Sequence, residues 1–144
     1  MTAKEYLRSI GQLDRSIGTK QRELDGLERD KGRLRAVRYD TARVSIGGHS
    51  DPMVIIDRID RLQREINADI DRLVELKAEA KEKISRVYDQ KFIDLLTEVY
   101  INGRTLSEIA ENWSKRERRE IAERTVQRWH GQALQAFRRE NDMS

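Results

Sequence analysis

Between Ser114 and Arg139 eight cations (Lys115, Arg116, Arg118, Arg119, Arg124, Arg128, Arg138 and Arg139) stand against three carboxylates, Glu117, Glu120 and Glu123. A segment with that surplus can replace counterions along a phosphate backbone, and such binding weakens steeply as salt rises. The plainer reading of the same residues is a solvated helix face. A second chemistry is suggested by acids, because paired carboxylates carry protons or hold a divalent metal. Asp57, Asp60, Asp69 and Asp71, however, are interleaved with Arg58, Arg61, Arg64 and Arg72, the pattern of an exposed helix laced with ion pairs. No Gly-rich phosphate loop or nucleophile motif accompanies them, so no enzyme is expected. The chain has no cysteine, which excludes disulfides, thiolate zinc sites and a cysteine nucleophile. Its two histidines, His49 and His130, are far apart in sequence and make a poor metal pair. His49 reads as a loop residue, and His130 as a residue that either touches phosphate or, more in keeping with its place, packs at a helix edge. Neither a metal nor a cofactor is expected.

Helices must position the basic cluster. Thr105-Leu-Ser-Glu108 is a capping box, in which the Thr105 hydroxyl accepts from a free backbone N–H and Glu108 reaches back to another. The helix it opens, Leu106 to about Trp113, carries Leu106, Ile109, Ala110 and Trp113 on one stripe. Ala122, Val126, Trp129, Ala133 and Phe137 make a second stripe at helical spacing. A short helix, a polar break and a longer Arg-rich helix give the outline of a helix-turn-helix that reads DNA. Phe92, Leu95, Leu96, Val99 and Tyr100 predict a further helix, stopped by Asn102-Gly103, a pair that tolerates a left-handed backbone. It is expected to pack across the other two, with Trp113 and Trp129 as bulky core residues.

Tyr100-Ile-Asn-Gly-Arg-Thr-Leu-Ser-Glu-Ile-Ala-Glu-Asn-Trp113 and Glu123-Arg-Thr-Val-Gln-Arg-Trp-His-Gly-Gln-Ala-Leu-Gln-Ala-Phe137 together resemble the C-terminal half of sigma-factor region four. They are closer still to phage transcriptional activators of the RinA/ArpU type and to a phage family with the same ending. The opening Thr2-Ala-Lys-Glu-Tyr-Leu-Arg8 is similar to that family too. The resemblance implies double-stranded DNA as partner, and a recognition helix exposing Glu123, Arg124, Thr125, Gln127, Arg128, Gly131 and Gln132. Val126, Trp129 and Ala133 would face inward. Arg124 and Arg128 would then meet guanine edges and Gln127 adenine in the major groove. Thr105 and Ser107 would supply hydroxyl and backbone donors to a phosphate. One departure from the family is length: Ala110 to Val126 is sixteen residues, as though Lys115-Arg-Glu-Arg-Arg-Glu120 were inserted. Ser114 with Glu117 is another possible capping box. In a second register the recognition helix therefore begins near Lys115, Ile121 is its anchor, and Arg116, Arg118 and Arg119 occupy the groove. The sequence leaves both registers open.

The rest of the chain predicts an all-α fold. With 144 residues and a net charge of +3, it is small for two independent globular cores. Thr2 and Glu5 form a capping box before a heptad seam of Ala3, Tyr6, Ile10, Leu13, Ile17, Leu24, Leu27 and Leu34, interrupted by Lys20 and Lys31. Gly11, Gly18, Gly26 and Gly32 each weaken that helix by roughly 1 kcal/mol relative to Ala, so it needs a partner. Gly47-Gly-His-Ser-Asp-Pro52 predicts a turn, with Ser50 or Asp51 as cap and Pro52 at the first helical position. A second helix, about Met53 to Val87, follows with Ile55, Ile59, Leu62, Ile66, Leu73, Leu76, Ala80 and Val87 on its seam, interrupted by Asp69 and Lys83. The expected organisation is a long antiparallel, coiled-coil-like hairpin over residues 1–88 and a helix-turn-helix domain over residues 89–144, joined near Gln90-Lys91. Leu7, Ile56, Ile70 and Ile84 sit beside the seam. They are covered either by self-association into a homodimer or higher homo-oligomer, or by the C-terminal domain.

No apolar run is long enough for a membrane span or a signal peptide, and a soluble protein in the bacterial cytoplasm is expected. The function implied by the resemblance is sequence-specific regulation of transcription in a phage or prophage, most naturally of late genes. Carboxylates among the arginines suit a second reading, a module docking on RNA polymerase or a host regulator. A third is a small terminase-like subunit, which also joins a helix-turn-helix to an oligomerising hairpin.

Overall fold

The computed structural model describes residues 1–40 and 52–144, and the side chains of residues 1–36 and 52–144. The turn expected before Pro52, with His49 and the caps at Ser50 or Asp51, lies outside the described residues. Pro52 itself opens a helix as its first residue, where its missing N–H has no partner to lose. All regular structure among the described residues is helical: α1 (Ala3–Asp40), α2 (Pro52–Ser85), α3 (Gln90–Leu96) continuing into a π-helical turn at Thr97–Ile101, α4 (Leu106–Glu117) and α5 (Glu123–Glu140). This agrees with the all-α expectation.

The contacts divide the chain into two compact units, residues 14–72 and residues 1–13 with 73–144. A division at residues 88 and 89 was expected instead. The difference arises because the first turns of α1 and the last turns of α2 build their core with the C-terminal helices.

In the unit of residues 14–72, the apolar row of α2 closes on α1. Ile55, Ile59, Leu62 and Ile66 are buried with Leu24, and Ile17, Leu27 and Leu34 pack on their margin. Partners run in opposite chain order, from Lys20 beside Asp69 to Leu34 beside Pro52 and Ile55. The two breaks in the heptad pattern meet each other: Lys20 Nζ lies 2.7 Å from Asp69 and 3.7 Å from Glu65. The hydrogen bond to Asp69 raises the Lys20 pKa, with the two carboxylate charges adding to it. Polar residues within an apolar seam disfavour slipped registers, because a slip leaves each without its partner. Ile56 and Ile70 stay exposed beside the seam.

In the other unit the Thr2 capping box forms as expected, with Thr2 N–H donating to Glu5 at 3.0 Å and Glu5 N–H to Thr2 Oγ1 at 3.1 Å. It starts α1 so that Ala3, Tyr6, Leu7 and Ile10 are buried on one face. Tyr6 stacks on Phe137 of α5 at 6.3 Å between centroids, and its hydroxyl donates to Glu79 of α2 at 3.0 Å. Phe137 is fully buried, so truncating it to Ala would cost about 3–5 kcal/mol. Ala3 N–H donates to the Ser144 carbonyl at 2.9 Å, and Asn141 donates its amide to the Lys83 carbonyl at 3.0 Å, tying both chain ends to this core. Leu7 and Ile84, two of the four flanking apolar residues, are buried here.

α3, α4 and α5 share a cluster of Leu95, Ile109, Ala110, Trp113, Ile121 and Val126, with Val99, Leu106 and Trp129 against it. The expected core therefore holds for Trp113, which is buried, while Trp129 is half-buried at its edge. Asp89 caps α3 by accepting from Lys91 N–H at 2.9 Å. After the π-helical turn, Gly103 takes the left-handed backbone anticipated at Asn102-Gly103, with φ of 70°.

Candidate nucleic-acid interface

Local chemistry sets where α4 stops and α5 starts. Thr105 caps α4 by accepting from Glu108 N–H at 3.1 Å. The Glu108 carboxylate accepts from the Thr105 hydroxyl at 3.2 Å, where a bond back to the backbone was expected, and Arg104 lies 3.7 Å from it. At this helix start the Thr105 hydroxyl is thus engaged with an acid, while Ser107 is exposed.

α4 runs one turn beyond the expected Trp113, to Glu117, and ends on Arg118 in the left-handed conformation with φ of 55°. Ser114 explains the extension. Its hydroxyl donates to the Ala110 carbonyl at 2.6 Å and accepts from the Ile121 N–H at 2.9 Å. The possible capping box at Ser114 and Glu117 does not form: Ser114 lies inside α4 and ties that helix to the turn after it. Of the two registers left open, the one in which a long helix starts near Lys115 is excluded with it. Lys115 and Arg116 belong to the last turn of α4, Arg118 and Arg119 to the turn, and Ile121 is buried between the helices. Half of the apparent insertion lengthens α4, and the other half makes the turn.

The cations separate into two sets. Lys115 pairs with Glu111 at 3.3 Å, and Glu117 holds Arg119 at 3.0 Å and Arg116 at 3.7 Å. Arg116 also lies over the Trp113 ring at 5.0 Å. Arg118, Arg124 and Arg128 have no carboxylate partner among the described residues. Exposed pairs contribute little to stability, so the first set is also available to a competing anion.

α5 begins at Glu123 after Ala122 and buries Val126, Ala133, Ala136 and Phe137. Opposite that face stand Arg124, Arg128, Gly131 and Gln135, exposed and separated by steps of four, three and four. Gln127 is exposed on one side of this row, Gln132 on the other, with half-buried Thr125 beside Gln132. Residues 124–139 contain no acid at all. Among the residues anticipated for binding, the structure thus brings Arg124, Thr125, Gln127, Arg128 and Gln132 onto the outer half of α5. Lys115, Arg116, Arg118 and Arg119 lie at the α4 end and its turn, and Thr105 and Ser107 at the α4 start. Arg138, counted in the basic cluster but given no place at the interface, continues the α5 row with Gln135, which the sequence reading passed over although the repeating step from Arg124 and the acid-free run mark it.

His130 packs at the helix edge, with Nε2 2.8 Å from the Tyr100 hydroxyl and the rings 5.7 Å apart. Burial lowers its pKa, and the Lys4 and Arg8 charges lower it further. Lys91 lies over Trp129 at 4.3 Å, and Trp129 is 6.2 Å from Trp113, so the flank of α5 is braced by stacked groups.

Among the described residues no group of His, Cys, Asp or Glu is placed to hold a metal ion, and no helix is long and apolar enough to cross a membrane. No family model, curated protein or solved structure matches the chain.

Proposed function

We propose that this chain is a sequence-specific binder of double-stranded DNA that regulates transcription, acting in a phage or prophage on late genes as its resemblance to RinA/ArpU-type activators implies. In this reading α4, the turn at residues 118–122 and α5 work as a sigma-region-four-like helix-turn-helix, and α5 enters the major groove. The observation that carries it is the outward row of α5, where Arg124 and Arg128 stand exposed and unpaired among the described residues on a helix face without a carboxylate. Arginine forks facing outward from a rigid helix suit the acceptor pair of guanine, and Gln127 suits adenine.

α1 and α2 serve as an antiparallel hairpin through which copies of the chain associate, with exposed Ile56 and Ile70 as contact residues. A twofold assembly suits paired half-sites. The neutralised end of α4, where Glu111 and Glu117 hold Lys115, Arg116 and Arg119, fits RNA polymerase as a further partner, because a mixed-charge surface favours protein over phosphate. The site of action is then the bacterial cytoplasm.

Selection from a pool of random duplexes tests the reading. The full chain should enrich a defined sequence, and its affinity for a random duplex should fall as salt rises. Enrichment of nothing, with negligible binding at every salt concentration, would leave the polymerase-docking role alone.

A further inference from the structure

The first turns of α1 place two cations beside the row that continues along α5. Lys4 lines a groove with Gly131, Gln135 and Arg138 of α5. Arg8, one turn further along α1, is close enough, like Lys4, to bear on the charge state of half-buried His130. Lys4, Arg8 and Arg138 are exposed, and none has a carboxylate partner among the described residues. The acids nearest in sequence are occupied: Glu5 accepts from the Thr2 backbone N–H at 3.0 Å, and Glu140 from Arg139 at 3.2 Å. Gly131 has no atom within 4 Å of where a Cβ would stand, so the α5 backbone is open to close approach there.

The length of α5 bears on what this groove meets. From Arg124 to Gly131 is about 10 Å and from Arg124 to Arg138 about 21 Å along the axis, at 1.5 Å per residue. The major groove is about 12 Å wide, and the N-terminal residues of a recognition helix are those that reach base edges. With α5 as the groove helix, its half beyond Gly131 is left to face the strand bordering the groove rather than the bases. We infer that Lys4 and Arg8 of α1, together with Arg138 of α5, form a clamp for the phosphate backbone of duplex DNA, built from the N-terminus of the chain. The clamp rests on the reading of α5 as the groove helix. It assigns Lys4 and Arg8 to register and affinity, and leaves sequence choice to Arg124, Gln127 and Arg128.

The test measures affinity of the full chain for its selected duplex and for a random duplex across a salt series, for the wild type, the pair K4Q/R8Q, and R138Q. Side chains that are exposed and unpaired can be replaced without loss of fold, which circular dichroism melting verifies. Both substitutions should weaken the two duplexes by the same factor, and the slope of log affinity against log salt should shrink by about 0.9 per phosphate contact removed. Wild-type binding with unchanged slopes in K4Q/R8Q would overturn the clamp and leave the α5 reading standing. Loss confined to the selected duplex would overturn it too, since it would make these residues readers of sequence. No binding by the wild type would overturn both.

Discussion

Ser114 holds the α4–α5 turn with a single hydroxyl, which satisfies the buried Ile121 N–H while back-bonding to Ala110. Replacing it by Ala strands that N–H, and a stranded buried donor costs about 1–3 kcal/mol. Ser114→Ala should therefore lower the unfolding free energy from urea titration by that amount and loosen DNA binding, because α5 loses its tether. His130 makes a prediction about pH. Its folded pKa lies below its ordinary value, so the unfolded chain binds more protons through the range between them. The contribution is fully present above about pH 6.5, the unfolded value, and is lost as pH falls from there through the folded value. Unfolding free energies from urea titrations at pH 7.5 and 5.5 should differ less in His130→Gln than in the wild type. An equal difference would assign the acid sensitivity to other groups. Sequence pattern marked the inward residues of α5 because apolar spacing reports burial directly. It left the role of Ser114 open because a hydroxyl before Arg-rich sequence has the same signature whether it caps a helix or bonds back into one.

At the scale of elements, two polar breaks in two apolar seams fix how α1 and α2 align in residues 14–72. Lys20 and Asp69 were each legible as interruptions, but their meeting was not, since pairing depends on a register that spacing within one helix does not encode. Charge exchange tests the point. Lys20→Asp and Asp69→Lys should each lower the thermal midpoint, and the double exchange should recover most of the loss; additive losses would mean that the pair does not set the alignment. The length of α4 had a similar ambiguity. Residues 115–120 read equally well as a new helix start or as an extension plus a turn, and the left-handed backbone at Arg118 decided for the second. A residue other than Gly in that conformation has no sequence signature.

For the whole molecule, the largest departure from the sequence reading is the return of residues 1–13 to the C-terminal core, sealed by Tyr6 on Phe137. Tyr6, Leu7 and Ile10 fit a heptad seam and a domain core equally well, so periodicity alone placed them in the hairpin. With Leu7 and Ile84 buried in that core, Ile56 and Ile70 are the flanking residues that remain exposed, and the proposed self-association rests on them. Native mass measurement should find twice the 16.9 kDa chain mass for the wild type, and the monomer for I56E/I70E. A ring of many copies would point to the terminase-like reading. The central claim, that the outer face of α5 reads base edges, is tested most directly by the ratio of affinities for the selected and a random duplex. In R124A/R128A that ratio should fall by about one and a half to four orders of magnitude, at about 1–3 kcal/mol for each arginine, with the thermal midpoint unchanged. A double variant that discriminates between the two duplexes as well as the wild type does would contradict it.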